Sequence, residues 1–228
     1  MNEPPRRIGV LGGTFDPIHY GHLLMADRAL RHLELETVMF VPTGRPSHRD
    51  PDVVSCALDR CAMTRLALDG KPNYRVSMVD VLRPKPTYTI DTIQDLRAQL
   101  GFASEFYLII GADNLASLLQ WAEADQLAQL VHFVACSRSG YSLKDPGLPR
   151  GRLIKLRIPH HEISSSRIRQ LVRSGCPISQ LTTPSVISYI QEKGLYSEDF
   201  TDAKTRRGLL RTDRILSASS NNPDAANN

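Results

Sequence analysis

The segment Gly12–His22 combines two adjacent glycines with two histidines in a spacing that suits a bound anion. It follows a short apolar run, Ile8–Leu11, and precedes a helical period that starts near Tyr20. Glycines let an anion approach the main chain closely, and the start of a helix offers free backbone N–H groups and a positive dipole end. His19 and His22 lie three residues apart, so we expect both imidazoles on one helical face. The segment therefore predicts a site for a phosphate chain.

This segment differs from the familiar glycine-rich nucleotide motifs. It does not read Gly-x-Gly-x-x-Gly, and no Gly-Lys-Ser/Thr follows it, so neither a hydride-transferring dinucleotide fold nor a P-loop NTPase is indicated. Two nearby histidines could also hold zinc, but no Glu-x-x-His partner or cysteine cluster accompanies them. We therefore rank a metal site below a phosphate site, assign no metal ligand, and do not claim Asp16 as one.

A second candidate anion site lies at Ile163–Arg169, where consecutive hydroxyls open a helical period. Ser164 or Ser165 can cap the helix, which leaves first-turn N–H groups and a further hydroxyl for phosphate oxygens. Arg169 adds a fixed cation. Taken alone, the segment is better explained by a serine-rich cap beside solvated arginines, and the anion site gains support only from the presence of the first motif.

The elements that position these segments follow from apolar periodicity. Strands are expected near 8–11, 37–41, 74–79, 106–110, 131–136 and 153–158, and helices near 20–33, 54–68, 90–100, 114–119 and 124–130. This alternation predicts an α/β fold with a Rossmann-like, doubly wound parallel sheet. Helical periods from about residue 164 and over 184–193 predict a helical C-terminal appendage. Ligands of such sheets bind beyond the carboxyl ends of the strands.

Length and composition restrict the class of protein. The 228 residues suffice for one α/β domain, which we assign to 1–200, and the charged and Ser/Asn-rich segment 201–228 is expected to be a disordered tail. No apolar run reaches the roughly 20 residues of a membrane span, so no membrane partner is expected. Four scattered cysteines favour reduced thiols and a cytoplasmic location. The net charge of +4 suits substrates that carry phosphates as well as nucleic acid.

Gly12–His22, read as Gly-Gly-Thr-Phe-Asp-Pro-Ile-His-Tyr-Gly-His, resembles the signature of the nucleotidylyltransferase superfamily, and in this form that of bacterial nicotinate-nucleotide adenylyltransferases. Ile163–Arg169 resembles the superfamily's Ile-Ser-Ser-Thr-x-Ile-Arg motif, with serine where threonine is common. Gly111–Asp113 is similar to the family's Gly-x-Asp, and Ser137–Gly140 resembles its Arg-Pro-Gly loop with serine in place of proline. The resemblance extends from Ile8 to about residue 196.

The resemblance implies a role for each motif. Ser164, Ser165 and Arg169 would hold the β- and γ-phosphates of ATP, and His19 and His22 would lie near the α-phosphate. The residues implied for ATP binding are Gly12, Gly13, Thr14, Phe15, Gly111, Asp113, Arg138, Ser164 and Ser165, and those implied for catalysis are His19, His22 and Arg169.

The same resemblance implies an acceptor site. Trp121, the only tryptophan, would stack on the pyridine ring, although core packing is the usual fate of such a residue. Thr89, in a segment similar to the family's Pro-Ser-Tyr-Thr, would cap a helix and offer its hydroxyl and N–H to the nicotinate carboxylate. His48, in a segment similar to a Pro-Pro-His loop, would reach a phosphate, with loop solvation as the alternative.

We therefore predict an enzyme that joins nicotinate mononucleotide to the AMP part of ATP and releases pyrophosphate, with Mg²⁺ entering on ATP. One alternative is a sister adenylyltransferase that uses nicotinamide mononucleotide or phosphopantetheine. A second, from another class, is a nucleotide- or RNA-binding protein without turnover, although nucleic acid is the less favoured partner. The sequence leaves the oligomeric state open, a homo-oligomer included.

Overall fold

The fold is built around one sheet of parallel strands, as the computed structural model of residues 5–44, 54–83, 87–159 and 162–197 shows. The strands are β1 Arg7–Gly13, β2 Thr37–Pro42, β3 Tyr74–Val76, β4 Glu105–Gly111, β5 Val131–Cys136 and β6 Leu153–Leu156. Their order across the sheet is β3-β2-β1-β4-β5-β6, and each neighbouring pair is parallel. From β1 the chain first adds strands on one side, β2 and β3, and then crosses to add β4, β5 and β6 on the other side. This change of side between β1 and β4 confirms the doubly wound fold.

Helices connect the strands and continue beyond the last of them. They are α1 Tyr20–His32, α2 Ala57–Leu68, α3 Val79–Leu82, α4 Thr89–Leu100, α5 Ala112–Leu115, α6 Ala124–Leu130, α7 Ser165–Arg173 and α8 Pro184–Glu192, with a 3₁₀ turn at Leu118–Gln120. None of the helices in the described residues is long and apolar enough to cross a membrane. The predicted C-terminal helices are α7 and α8, whose Ile168, Val186 and Ile190 join the core beside α1 and α2.

The core lies on both faces of the sheet, which explains the continuous apolar runs of the central strands. On β1, Ile8 and Val10 pack on the face that α4 and α6 cover, whereas Leu11 packs on the opposite face. Gly9 lies between them, where a Cβ atom would approach Leu35 and Val38 within 2.9 and 3.0 Å. The strands of such a sheet are therefore recognised in the sequence by continuous apolar runs and not by alternation of apolar and polar residues.

Three predicted boundaries were wrong for local reasons. The strand expected to reach residue 79 ends at Val76, because the hydroxyl of Ser77 accepts the N–H of Val79 at 3.4 Å and α3 begins there. The last strand ends at Leu156 instead of 158, because the Ile158 N–H donates to the side chain of Ser137 at 2.9 Å. Gly12 and Gly13 are the end of β1, not part of a turn.

Candidate active site

A cavity of about 490 Å³ opens at the carboxyl ends of β1 and β4, where the strand order reverses. The ends of both strands form its floor, with Val10–Gly13 from β1 and Leu108–Gly111 from β4. The strands direct main-chain groups upward at this point, and the loops that follow them supply the walls. A crevice at this position is where ligands of doubly wound sheets bind.

The cavity gathers residues that are far apart in the chain. Those that the sequence singled out and that line it are Gly12, Gly13, Thr14, Phe15, His19, His22, Thr89, Gly111, Asp113, Trp121, Arg138, Ser164 and Ser165. Arg169 does not line it, and His48 lies outside the described residues. The predicted phosphate and acceptor motifs therefore meet in one place.

The two histidines of the first motif form a stacked pair. Their ring centroids are 3.7 Å apart with an interplanar angle of 24°. His19 is the N-cap of α1, with extended backbone, and not a residue of the helical face as predicted. Its backbone N–H donates to Nδ1 of His22 at 3.2 Å, so the ring proton of His22 resides on Nε2. The Phe15 and His22 rings form a T-shaped pair, with centroids 4.9 Å apart and an interplanar angle of 85°.

The second anion motif lies at the start of α7, where it lines the cavity. Ser164 caps this helix, because its hydroxyl accepts the N–H of Arg167 at 3.2 Å. Ser165 donates to the carbonyl of Pro17 at 2.9 Å, and Arg169 donates to the carbonyl of Asp16 at 2.8 Å. The helix that carries the serines is thereby tied to the loop that carries the histidines. Arg169 makes this tie from outside the cavity wall, and its predicted catalytic role stays a prediction.

Asp113 and Arg138 join the loops that follow β4 and β5. The guanidinium donates to the Asp113 carboxylate at 2.6 Å, and both side chains line the cavity. A Cβ atom at Gly111 would overlap Oδ1 of that carboxylate, so a larger residue there would require the Asp113 side chain to move. Arg138 also lies 6.0 Å from the ring of Tyr141. The pair forms a polar part of the cavity wall.

The predicted acceptor residues lie at the start of α4 and after the 3₁₀ turn. Thr89 is the first residue of α4 and not its cap; the N-cap is Tyr88, whose N–H donates to Asp91 at 3.2 Å. The helix start nevertheless faces the cavity, because Thr87, Tyr88 and Thr89 all line it. Trp121 is half-buried and packs against the core at its margin while it lines the cavity. Its position suits both the predicted stacking and the core-packing alternative.

The structure adds lining residues that the sequence reasoning missed. The polar ones are Thr43, Asp80, Thr92 and Asn114, while Thr87, Ser137 and Ser166 line the cavity from within the predicted motifs. Of these, Asp80 and Thr92 form a buried pair, in which the Thr92 hydroxyl donates to Asp80 at 2.8 Å. Polar residues at the ends of strands and helices would have signalled Thr43 and Asn114. Asp80 directly follows the strand expected near 74–79, so the same signal was present there, but helix α3, which contains it, was not predicted.

Burial raises the pKa of Asp80 to about 6 from its ordinary value of 3.8. The hydrogen bond from Thr92 and the charge of Arg83 oppose this shift, whereas Asp95 and Asp91 add to it. A carboxyl group with a raised native pKa binds more protons in the folded than in the unfolded chain between these two values. Its contribution to stability is therefore complete below about pH 4 and is lost as the pH rises through about 6.

Replacing Asp80 with asparagine removes this titration and keeps the shape of the side chain. The wild type loses stability as Asp80 ionises, whereas Asp80→Asn does not. We therefore expect the unfolding free energy of Asp80→Asn minus that of the wild type to increase by about 2 to 3 kcal/mol from pH 4 to pH 7. Urea unfolding at steps of pH measures the difference, with Asp69→Asn as a control for loss of a carboxylate at an exposed position. A constant difference between Asp80→Asn and the wild type over this range would contradict the assignment.

Asp16 does not line the cavity. The residue is 1% exposed, and its carboxylate accepts the hydroxyl of Tyr196 at 2.7 Å and the N–H of Ser55 at 3.3 Å. Within residues 5–44, 54–83, 87–159 and 162–197, the structure holds no group of three or more His, Cys, Asp or Glu that could hold a metal ion. Asp16 therefore acts as a structural acceptor beneath the loop.

Comparison with known proteins assigns the chain to a class. A family model described as cytidylyltransferase-like matches residues 10–171, which is more than half of the chain. A protein of Saccharopolyspora erythraea named probable nicotinate-nucleotide adenylyltransferase is 47% identical over 191 residues, 84% of this chain and 90% of the relative. One of the same name from Acidothermus cellulolyticus is 44% identical over 195 residues, 83% and 94% of the two chains. The chain belongs to the nicotinate-nucleotide adenylyltransferase family.

A solved structure shares the fold. The nicotinic acid mononucleotide adenylyltransferase of Plasmodium falciparum, complexed with NaAD, matches with a TM-score of 0.70 at 21% identity. The match covers 86% of this chain and 98% of that chain. At this identity the likeness concerns the arrangement of strands and helices, and it agrees with the sheet order found here.

Proposed function

We propose that this chain transfers the adenylyl group of ATP to nicotinate mononucleotide, giving deamido-NAD and pyrophosphate. The proposal rests on the observation that three groups of residues line one cavity. These are the stacked His19–His22 pair, the serines at the start of α7, and the predicted acceptor residues Thr89 and Trp121. The names of relatives that are 40 to 47% identical support the same acceptor. The protein is an enzyme of the nucleotidyltransferase class.

The mechanism consists of positioning and charge stabilisation. A phosphate oxygen of the mononucleotide attacks the α-phosphorus of ATP, the new O–P bond forms, and the bond to the β-phosphate oxygen breaks in line with it. No covalent enzyme intermediate is needed, because the acceptor itself supplies the nucleophile. His22, with its proton on Nε2, donates to an oxygen of the α-phosphate as negative charge develops there. The helix start at Ser164 and Ser165 holds the departing phosphates.

Mg²⁺ belongs to this proposal as a companion of ATP. The residues present fit an ion held by phosphate oxygens and water, since Asp16 is engaged below the loop and Asp113 is paired with Arg138. Bound there, the ion would neutralise charge on the phosphates. The proposal also places the enzyme in the cytoplasm, where the cysteines of the described residues, all free, would stay reduced.

Pyrophosphate release with different acceptors tests the function. We expect purified protein with Mg·ATP to release pyrophosphate with nicotinate mononucleotide, more slowly with its amide, and not with phosphopantetheine or without an acceptor. Mass spectrometry of the product shows whether the adenylyl group has reached the mononucleotide. Absence of release with nicotinate mononucleotide would refute the proposal, and ATP binding without turnover on any acceptor would favour the binding-protein alternative.

A further inference from the structure

A buried arginine lies directly beneath the first loop of the cavity. Arg60, on α2, is 1% exposed and does not line the cavity itself. Its guanidinium donates to three main-chain carbonyls: Nε to Ser55 at 3.0 Å, one terminal nitrogen to Thr14 at 2.7 Å and the other to Gly44 at 3.0 Å. These carbonyls belong to the loops after β1 and β2 and to the segment before α2. One rigid planar group thus fixes their relative positions.

The charge of this group is balanced in place. Asp16, also 1% exposed, attracts the Arg60 guanidinium and opposes the lowering of the Arg60 pKa that burial causes. The Asp16 carboxylate accepts hydrogen bonds from Tyr196 and Ser55. Removing the Arg60 charge would leave the buried Asp16 carboxylate without this compensation, and such a loss is costly in a protein interior.

The bond to Thr14 determines where the next N–H points. A peptide group is planar and trans in nearly all cases, so its C=O and N–H point in opposite directions. The Thr14 carbonyl is directed at Arg60, below the cavity, and the N–H of Phe15 therefore points away from Arg60. Thr14 and Phe15 line the cavity, whereas Arg60 does not.

The backbone at Phe15, next to the peptide group that Arg60 holds, is strained. Its φ is 50°, in the left-handed region that a bulky residue seldom adopts. Rotation about φ of Phe15 turns the Thr14–Phe15 peptide group, which is the group that Arg60 holds. Strain of about 1 to 3 kcal/mol persists only where the surroundings maintain it. The hydrogen bond from Arg60 and the burial of the Phe15 ring, 1% exposed, are the surroundings that do so.

We propose that Arg60 is a positioning residue for nucleotide binding: from beneath the cavity it holds the Thr14–Phe15 peptide so that the Phe15 N–H is presented to a phosphate of ATP. Through Gly44 it also fixes the wall that Thr43 provides on the other side of that loop. The inference rests on the proposed function for the identity of the nucleotide. Its geometry requires only that a phosphate-bearing ligand enters the cavity.

Arg60→Lys tests this role, because lysine keeps the buried charge beside Asp16 but cannot bridge the Thr14 and Gly44 carbonyls with a planar fork. We expect kcat/KM for ATP to fall at least about tenfold and the Kd of Mg·ATP, measured by calorimetry, to rise by a similar factor, as for loss of a hydrogen bond to a charged group. Thr64→Val is the matched control. Thr64 is also fully buried on α2, and its hydroxyl donates to the Arg60 carbonyl at 2.7 Å, away from the loops.

Both variants are assayed at a temperature at which circular dichroism shows them folded, with Arg60→Gln as a second test if the lysine variant unfolds. The proposal is overturned if the Arg60 variant loses no more ATP affinity than Thr64→Val at an equal fraction folded. Failure of the proposed function looks different: the wild type would bind ATP but release no pyrophosphate, and the ratio of ATP affinities would still test Arg60. A wild type that binds no ATP would refute both.

Discussion

Replacing His22 with alanine is expected to lower kcat by at least about a hundredfold, the range seen when one transition-state donor is removed. His22 lines the cavity and is held by the His19 N–H, by stacking on the His19 ring and by a T-shaped contact with the Phe15 ring. The acceptor need not bind more weakly, because the donor acts mainly on charge that develops during transfer. Steady-state kinetics with varied ATP and nicotinate mononucleotide separate kcat from KM.

The matched control for this variant is His32→Ala. His32 is exposed in the last turn of the same helix and does not line the cavity, so its replacement should leave kcat within about twofold. His22→Ala also removes the acceptor for the His19 N–H, which should cost about 1 kcal/mol of stability. Both proteins are therefore compared well below their unfolding temperatures. A near-normal kcat for His22→Ala would mean that another group stabilises the α-phosphate.

Replacing Gly44 with alanine is expected to destabilise the fold by about 3 kcal/mol or more. A Cβ atom at this position would overlap the carbonyl group of Asp80 and approach the Cα of Val81 within 3.2 Å. These are main-chain atoms at the start of α3, so they cannot turn aside as the end of a flexible side chain would. Relief would require Gly44 to move, and its carbonyl is held by Arg60 at 3.0 Å.

Chemical denaturation measures this effect, with Gly12→Ala as the control. A Cβ atom at Gly12 has no other atom within 4 Å apart from its chain neighbours, so that substitution should cost less than about 1 kcal/mol. Equal denaturation midpoints for the two variants would contradict the prediction and would show that α3 can shift at little cost in stability. Because Gly44 packs the loop after β2 against α3, we also expect the folded fraction of Gly44→Ala to have a lower kcat than the wild type.

The sequence predicted the sheet and most of the cavity because those features have local signals. The central strands are apolar throughout, since both faces of the sheet are covered, and the phosphate motifs carry hydroxyls and imidazoles beside glycines or helix starts. Such signals depend only on neighbours in the chain. Ser164 could therefore be recognised as a cap before its contacts were known, and the structure confirms that cap.

The features that were missed depend on distant contacts. Nothing distinguishes Arg60 from the exposed Arg65 in the sequence of α2, because burial of Arg60 results from loops that fold over it. Thr89 was assigned the cap of α4, although Tyr88 occupies it, because either residue can precede a helical period. Asp80 follows the strand expected near 74–79, helix α3 that contains it was not predicted, and its side chain contacts Thr92, twelve residues further on.

The hydroxyl of Tyr196 reaches the carboxylate of Asp16 across 180 positions of the chain. Thr182 and Ser165 bond the carbonyls of Ile18 and Pro17 in the same loop, so the first motif is supported from below and beside by the last described residues. During synthesis, the first motif leaves the ribosome long before these partners do. The nascent chain can therefore complete its sheet while the loop of this motif still lacks these three hydrogen bonds.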